Sequence, residues 1–159
     1  MPVLTEKYTI RKARDNEIPV ILELIHATIR KCYPEVYPDS VTEYFLEYHN
    51  LENTKKNART GTTLVMLIGN KIVATGNVKG NLLGALYVHN DYQRQGIGRI
   101  MMEAMIDVAR QNKVSTVILD STLIAKRLYD NMGFLTLEYT FELMSNGEEL
   151  YYFKMAKNI

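Results

Sequence analysis

Between Leu86 and Arg99 an apolar run, Leu86-Tyr87-Val88, passes through Gln93-Arg94-Gln95-Gly96-Ile97-Gly98-Arg99 into residues whose apolar positions recur at helical spacing. A chain that leaves a strand through glycines and enters a helix at once has few ways to arrange that junction. Gly96 and Gly98 have no Cβ, so the backbone there can take unusual dihedrals and lie close to a ligand. The helix that follows directs its first, unpaired N–H groups and the positive end of its dipole at the turn. Such a junction suits an anion, a diphosphate for example, and Arg94 and Arg99 beside it can pair with phosphate oxygens. A Gly-x-Gly turn also serves as a plain connection, so the remainder of the chain has to decide.

The chain has 159 residues. That suits one domain, residues 1–159, able to bury a core without disulfides or metals. Nineteen Lys and Arg against eighteen Asp and Glu make no basic field, so nucleic acid is not expected as a partner. The one cysteine, Cys32, lies in an apolar helical pattern and reads as a core thiol in a reducing compartment, which points to the cytoplasm. No apolar run approaches the ~20 residues of a membrane helix, and no clustered His, Cys or carboxylate spacing suggests a metal.

Periodicity gives an order of elements. A strand near Tyr8 to Lys12 precedes a helix with Ile18, Ile21, Leu22, Ile25, Ile29 and Cys32 on one face, started by Asp15 or Asn16 and ended near Tyr33 before Pro34. After a loop, Asp39 or Ser40 can cap a second helix containing Val41, Tyr44, Phe45 and Tyr48. Leu51 to Thr62 is polar and mixed, and is expected to be the least ordered connection. Leu64–Ile68, Lys71–Val78 and Leu82–Val88 read as consecutive antiparallel strands joined at Gly69-Asn70 and Lys79-Gly80-Asn81. Ile97, Ile100, Met101, Ala104, Met105 and Val108 then form a helical stripe, with the methionines as core filler. A strand at Val114–Leu119, a short helix to Asn131 stopped by Gly133, and strands near Thr136–Met144 and Glu149–Met155 complete the chain.

Two readings of the glycine turn compete with a carrier site and fit less well. A dinucleotide-binding unit would want glycine where Met101 stands and the chain's first parallel strand where hairpins stand. A nucleoside-triphosphate loop needs Gly-Lys-Ser or Gly-Lys-Thr, which does not follow.

Two motifs carry a resemblance. Gln93, Gly96 and Gly98 match the Gln/Arg-x-x-Gly-x-Gly/Ala acyl-CoA signature of the GCN5-related N-acetyltransferases, and Ala125-Lys126-Arg127-Leu128-Tyr129 leading to Gly133-Phe134 resembles that family's following helix. The resemblance spans nearly the whole chain and implies an α+β fold of α/β/α layers. Its sheet would be mixed, mostly antiparallel and seven-stranded, with about four helices and a splay between the fourth and fifth strands. Thr122 stands where many members carry Asn.

The resemblance implies an acetyl-CoA-dependent N-acetyltransferase acting by direct attack of an amine, small molecule or peptide, in a ternary complex. Backbone N–H groups of Arg94, Gln95, Gly96, Ile97, Gly98 and Arg99 would cradle the diphosphate. Leu86, Tyr87 and Val88 would offer backbone groups to the pantetheine arm, and Lys126 can reach a phosphate. Tyr129, a phenol protonated at neutral pH, would be the general acid to the CoA thiolate. For the base, Glu138, Glu142, Asp120 and His89 all stand open, while His26 and His49 read as helix-face residues. Tyr33, Tyr37, Tyr44, Tyr48, Tyr139 and Tyr151 could line the acceptor side. A homodimer through the last strands is common in the family, and a non-catalytic acyl-CoA sensor of the same fold is the alternative.

Overall fold

The computed structural model describes residues 4–159. A seven-stranded sheet runs in the order β1 (Thr9–Lys12), β2 (Thr62–Ile68), β3 (Lys71–Lys79), β4 (Leu82–Val88), β5 (Thr116–Ser121), β7 (Glu149–Asn158), β6 (Leu135–Leu143). Every neighbouring pair is antiparallel except β4 and β5. Among the described residues five α-helices accompany it: α1 (Ile18–Cys32), α2 (Asp39–Tyr48), α3 (Leu51–Thr60), α4 (Ile97–Gln111) and α5 (Lys126–Asn131).

The alternation of the strands separates two cores. On one face Met101, Met102, Met105 and Ile106 of α4 pack with Val117 and Leu119 of β5 and with Tyr129 and Met132 around α5. On the other, Ile21, Leu24, Ile25 and Ile29 of α1 pack on Val65 and Tyr87. The expected methionine filler is seen, since Met66, Met101 and Met105 are wholly buried. Gly76 on β3 lets α4 press close, because a Cβ there would lie 2.4 Å from Met105 Sδ.

Leu51–Thr60 is an ordered helix, against the expectation of a loose connection, and brings the helix count from about four to five. It lacks an apolar stripe, so periodicity has little to register. Caps hold it instead: Asn50 Oδ1 accepts from the Asn53 N–H at 2.8 Å, and Asn77 Nδ2 of β3 donates to the Asn57 carbonyl at 3.0 Å. The expected caps at Asp15, Asn16, Asp39 and Ser40 make no cap hydrogen bond; Glu17 Oε1 accepts from the Arg14 N–H at 3.2 Å, and Ser40 Oγ donates to Glu148.

β4 carries the irregularity that shapes the site. Thr75 faces Tyr87 and Asn77 faces Gly84, so Ala85 and Leu86 together oppose Gly76. Ala85 takes φ +50°, a left-handed conformation that costs an L-residue about 1–2 kcal/mol. A bulge of this kind sharpens the local twist. It falls where β4 turns away from β5.

Candidate active site

β4 and β5 are in register at one pair only, Leu82 with Ile118, whereas β5 and β7 stay paired from Thr116 to Ser121. Beyond Leu82 the two strands part. The His89 N–H donates to the Val73 carbonyl of β3 at 2.8 Å, so strand alternation turns the backbone groups of Val88 and Leu86 toward the opposite edge, into the gap.

The glycine turn closes the far end. Gly96 is left-handed, φ +80°, at the N-cap of α4, and Arg94 is left-handed too, φ +61°. The Ile100 N–H closes the first helical turn on the Gly96 carbonyl at 3.1 Å, leaving the N–H groups of Ile97, Gly98 and Arg99 at the start of the helix without an intrahelical partner. No heavy atom lies within 4 Å of where a Gly96 Cβ would be, so the turn is open to approach. Gly98 packs against Leu128 of α5.

Several polar groups beside the turn are engaged within the protein. Gln93 Nε2 donates to the Val88 carbonyl at 3.0 Å, tying the loop to the end of β4. Arg99 is drawn along α4 to Glu103 at 3.5 Å. Lys126 pairs with Asp130 at 2.6 Å and lies over the Phe153 ring. The Gln95 carbonyl accepts from the Leu4 N–H at 3.0 Å. Thr122 Oγ1 accepts from the Ala125 N–H at 3.2 Å ahead of α5.

A cleft of about 340 Å³ opens along the gap. Leu82 to Tyr87 and Leu119 to Thr122 form its floor, and Tyr33, Tyr37, Tyr44 and Tyr48 one wall. Tyr129 lines it from α5, 8 % exposed, its ring edge-on to Phe134 at 5.6 Å. Its hydroxyl bonds to no other group among the described residues, and burial pushes its pKa up to about 12. Tyr139, expected in this lining, instead stacks on Phe153 at 4.6 Å. Tyr152 and Tyr87 line the cleft with Tyr151.

The spacing of residues along the chain does not announce one buried chain of polar groups. The Tyr33 and Tyr87 hydroxyls lie 3.1 Å apart, and the Tyr87 hydroxyl lies 3.0 Å from His49 Nε2. His26 Nε2 holds the His49 carbonyl. Burial, with a smaller push from His26, lowers the His49 pKa to about 4, so the imidazole is neutral and its Nε2 shares a hydrogen bond with the Tyr87 hydroxyl. The expectation of a helix-face histidine fails here because Tyr87 comes from a strand far along the chain.

Of the four candidate bases, Asp120 and Glu142 line the cleft. His89 lies beside Tyr92 and accepts from the Asp91 N–H at 3.1 Å, and Glu138 sits 4.0 Å from Lys154. Among the described residues, no group of three or more His, Cys, Asp or Glu is placed to hold a metal ion, and no helix is long and apolar enough to cross a membrane.

No curated protein matches the chain in sequence. Solved structures do match in fold. A GCN5-related N-acetyltransferase from Rhodopseudomonas palustris superposes with a TM-score of 0.89 at 18% identity, covering 99% of each chain. The ribosomal-protein-S18-alanine N-acetyltransferase from Escherichia coli gives 0.73 at 20% identity over 96% of this chain and 94% of the other. The PaiA N-acetyltransferase from Thermoplasma acidophilum, solved with coenzyme A, gives 0.74 at 14% identity over 96% and 99%. The family model of the GNAT acetyltransferases matches residues 22–134, well over half of the sequence, and the parted strands, glycine turn and short tyrosine-bearing helix all lie within that span. The chain belongs to the acetyltransferase (GNAT) family.

Proposed function

We propose that the protein transfers the acetyl group of acetyl-CoA to an amine by direct attack in a ternary complex. The observation that carries this reading is the unpartnered Tyr129 hydroxyl facing a gap whose strand edge has no ladder partner. The chain's groups fit the carrier: an open, left-handed glycine turn with free helix-start N–H groups suits a diphosphate, and the Leu86 backbone with the Val88 N–H suits an extended amide-bearing arm. When bound, the thioester supplies an activated acetyl carbon and a thiol leaving group.

The amides from Arg94 to Arg99 hold the diphosphate end. Leu86 to Val88 hold the arm in the gap, and the strand N–H groups at the bulge face the developing charge on the thioester oxygen. Aligning two reactants in this way converts a bimolecular encounter into a unimolecular step. Tyr129 donates to the departing sulfur. At about 12 its phenol keeps its proton throughout the neutral range. A thiol titrates near ~8.5, so the phenol gives the sulfur a hydrogen bond and passes a proton on as the attacking nitrogen releases its own.

Release of free thiol from acetyl-CoA with a panel of amines tests the proposal. Tyr129→Phe should lower kcat by about 10²–10⁴-fold with the KM for acetyl-CoA little changed. An undiminished rate across pH would remove Tyr129 as the acid. Binding of acetyl-CoA without release on any amine would favour a sensor.

A further inference from the structure

We propose that the acceptor is an amine bearing a second positive charge, its reacting nitrogen at Asp120 and its second cation between Glu142 and the ring of Tyr44. The inference rests on the acetyl-transfer reading and names the substrate class of that same cleft.

Strand parity places Asp120. Val117 and Leu119 of β5 are buried beneath α4, so Ile118 and Asp120 face the opposite side, toward α1 and α2. Asp120 follows Ile118 by two residues, and Ile118 marks the level at which β4 and β5 still pair. The carboxylate therefore stands at the fork, beside Gly84 and the bulge. Its cross-strand neighbour is Lys154, whose ammonium lies 4.0 Å from Glu138. Among the described residues neither Asp120 nor Glu142 has an ion-pair partner within 4.0 Å.

The two carboxylates share one space. Burial raises the Asp120 pKa, Lys154 opposes that rise, and the charge of Glu142 adds to it. Tyr44 and Glu142 line the same cleft, and burial and then the charge of Glu142 raise the phenol of Tyr44. Tyr44 stacks on Tyr48 with centroids 6.2 Å apart. Aromatic faces next to a carboxylate favour a cation.

No lysine or arginine lines the cleft. The floor and walls thus carry two negative charges, a neutral His49 and a set of phenols. An acceptor with its own carboxylate would meet repulsion with no cation in the lining to offset it, since Lys154 lies outside the lining, 4.0 Å from Glu138. The Tyr129 hydroxyl, on a side chain 8 % exposed and without a protein partner, opens into the same space and fixes where the acyl end must lie.

The reacting ammonium gives one proton to Asp120, which passes it to solvent. The free amine nitrogen bonds to the acetyl carbon and the carbon–sulfur bond breaks. The nitrogen's second proton reaches the thiolate by way of Tyr129, leaving an amide and a free thiol.

The test compares cadaverine, n-pentylamine and the matching ω-aminopentanoate, by thiol release with wild-type protein and Glu142→Gln. A second measurement is calorimetric binding of cadaverine to the CoA-saturated protein. Cadaverine should exceed n-pentylamine in kcat/KM by about tenfold or more, and ω-aminopentanoate should be poorest. In Glu142→Gln the ratio of cadaverine to n-pentylamine should fall toward one through KM. Asp120→Asn should lower kcat for the amines that react. Thiol release equally fast with n-pentylamine or ω-aminopentanoate would overturn the acceptor class while leaving acetyl transfer standing. If no amine releases thiol, the transfer reading fails, and calorimetry decides the pocket: cadaverine binding weakened in Glu142→Gln supports it, and absent or unweakened binding overturns it.

Discussion

Acid should unfold this protein in part through His49. The imidazole sits at the end of α2, 7 % exposed, its Nε2 hydrogen-bonded to the Tyr87 hydroxyl at 3.0 Å. Its pKa falls from 6.5 to about 4 on folding, because burial disfavours the charged ring and His26 adds to that effect. Between those two values the unfolded chain binds the extra proton. Stability from the neutral ring is therefore whole above about pH 6.5 and is lost as pH falls toward 4. At about 1.36 kcal/mol per unit, the shift amounts to about 3 kcal/mol, a large part of the roughly 5–15 kcal/mol that holds a domain folded. Urea unfolding followed from neutral pH to about pH 4.5 measures this in wild-type protein and in His49→Gln. The variant should be less stable at neutral pH and fall with acid by about 3 kcal/mol less. At Glu17 burial raises the pKa, but hydrogen bonds from Arg11 and the Arg14 backbone and the charges of both arginines together lower it, which adds an acid-sensitive contribution common to both proteins. Parallel curves for the two proteins would refute the argument, since His49 would then titrate alike in the folded and unfolded chain.

Two further outcomes follow from the backbone. Gly96→Val forces a branched side chain onto φ +80° with no neighbour to clash with, so stability should drop by about 1–2 kcal/mol and the KM for acetyl-CoA should rise. Urea midpoints and saturation kinetics read the two effects separately. Gly76→Ala would set a Cβ against the Sδ of wholly buried Met105, and urea unfolding should show a loss of about 1–3 kcal/mol.

Local chemistry made the glycine turn, the hairpins and the methionine stripe of α4 legible in the sequence, because each is set by residues a few positions apart. α3 escaped notice for the converse reason. Its stability comes from the Asn50 cap and from Asn77 on a strand outside it, and its faces are polar. The Tyr33–Tyr87–His49 chain joins a helix end, a strand and a second helix end, and no spacing along the chain announces it. Carboxylates were equally open as bases at Glu138, Glu142 and Asp120. All three share one face of the sheet, and their places along it and the position of Lys154 separate them, which requires the register of β5, β6 and β7. Gln93 matched a signature, yet its amide is spent on the Val88 carbonyl, a use that only the turn's geometry reveals. The bulge puts its left-handed residue at Ala85 and not at the neighbouring Gly84, so the glycine there does not locate it.

The seam between the first four strands and the last three is stitched by a single rung, Leu82 with Ile118. Below that rung the halves are joined by the buried cluster under α4, Val117 and Leu119 included. A molecule wedged into the fork works as a keystone: it completes the missing rungs and locks the halves, so amide exchange at Leu86–Val88 and at Leu119–Asp120 slows together when it is seated.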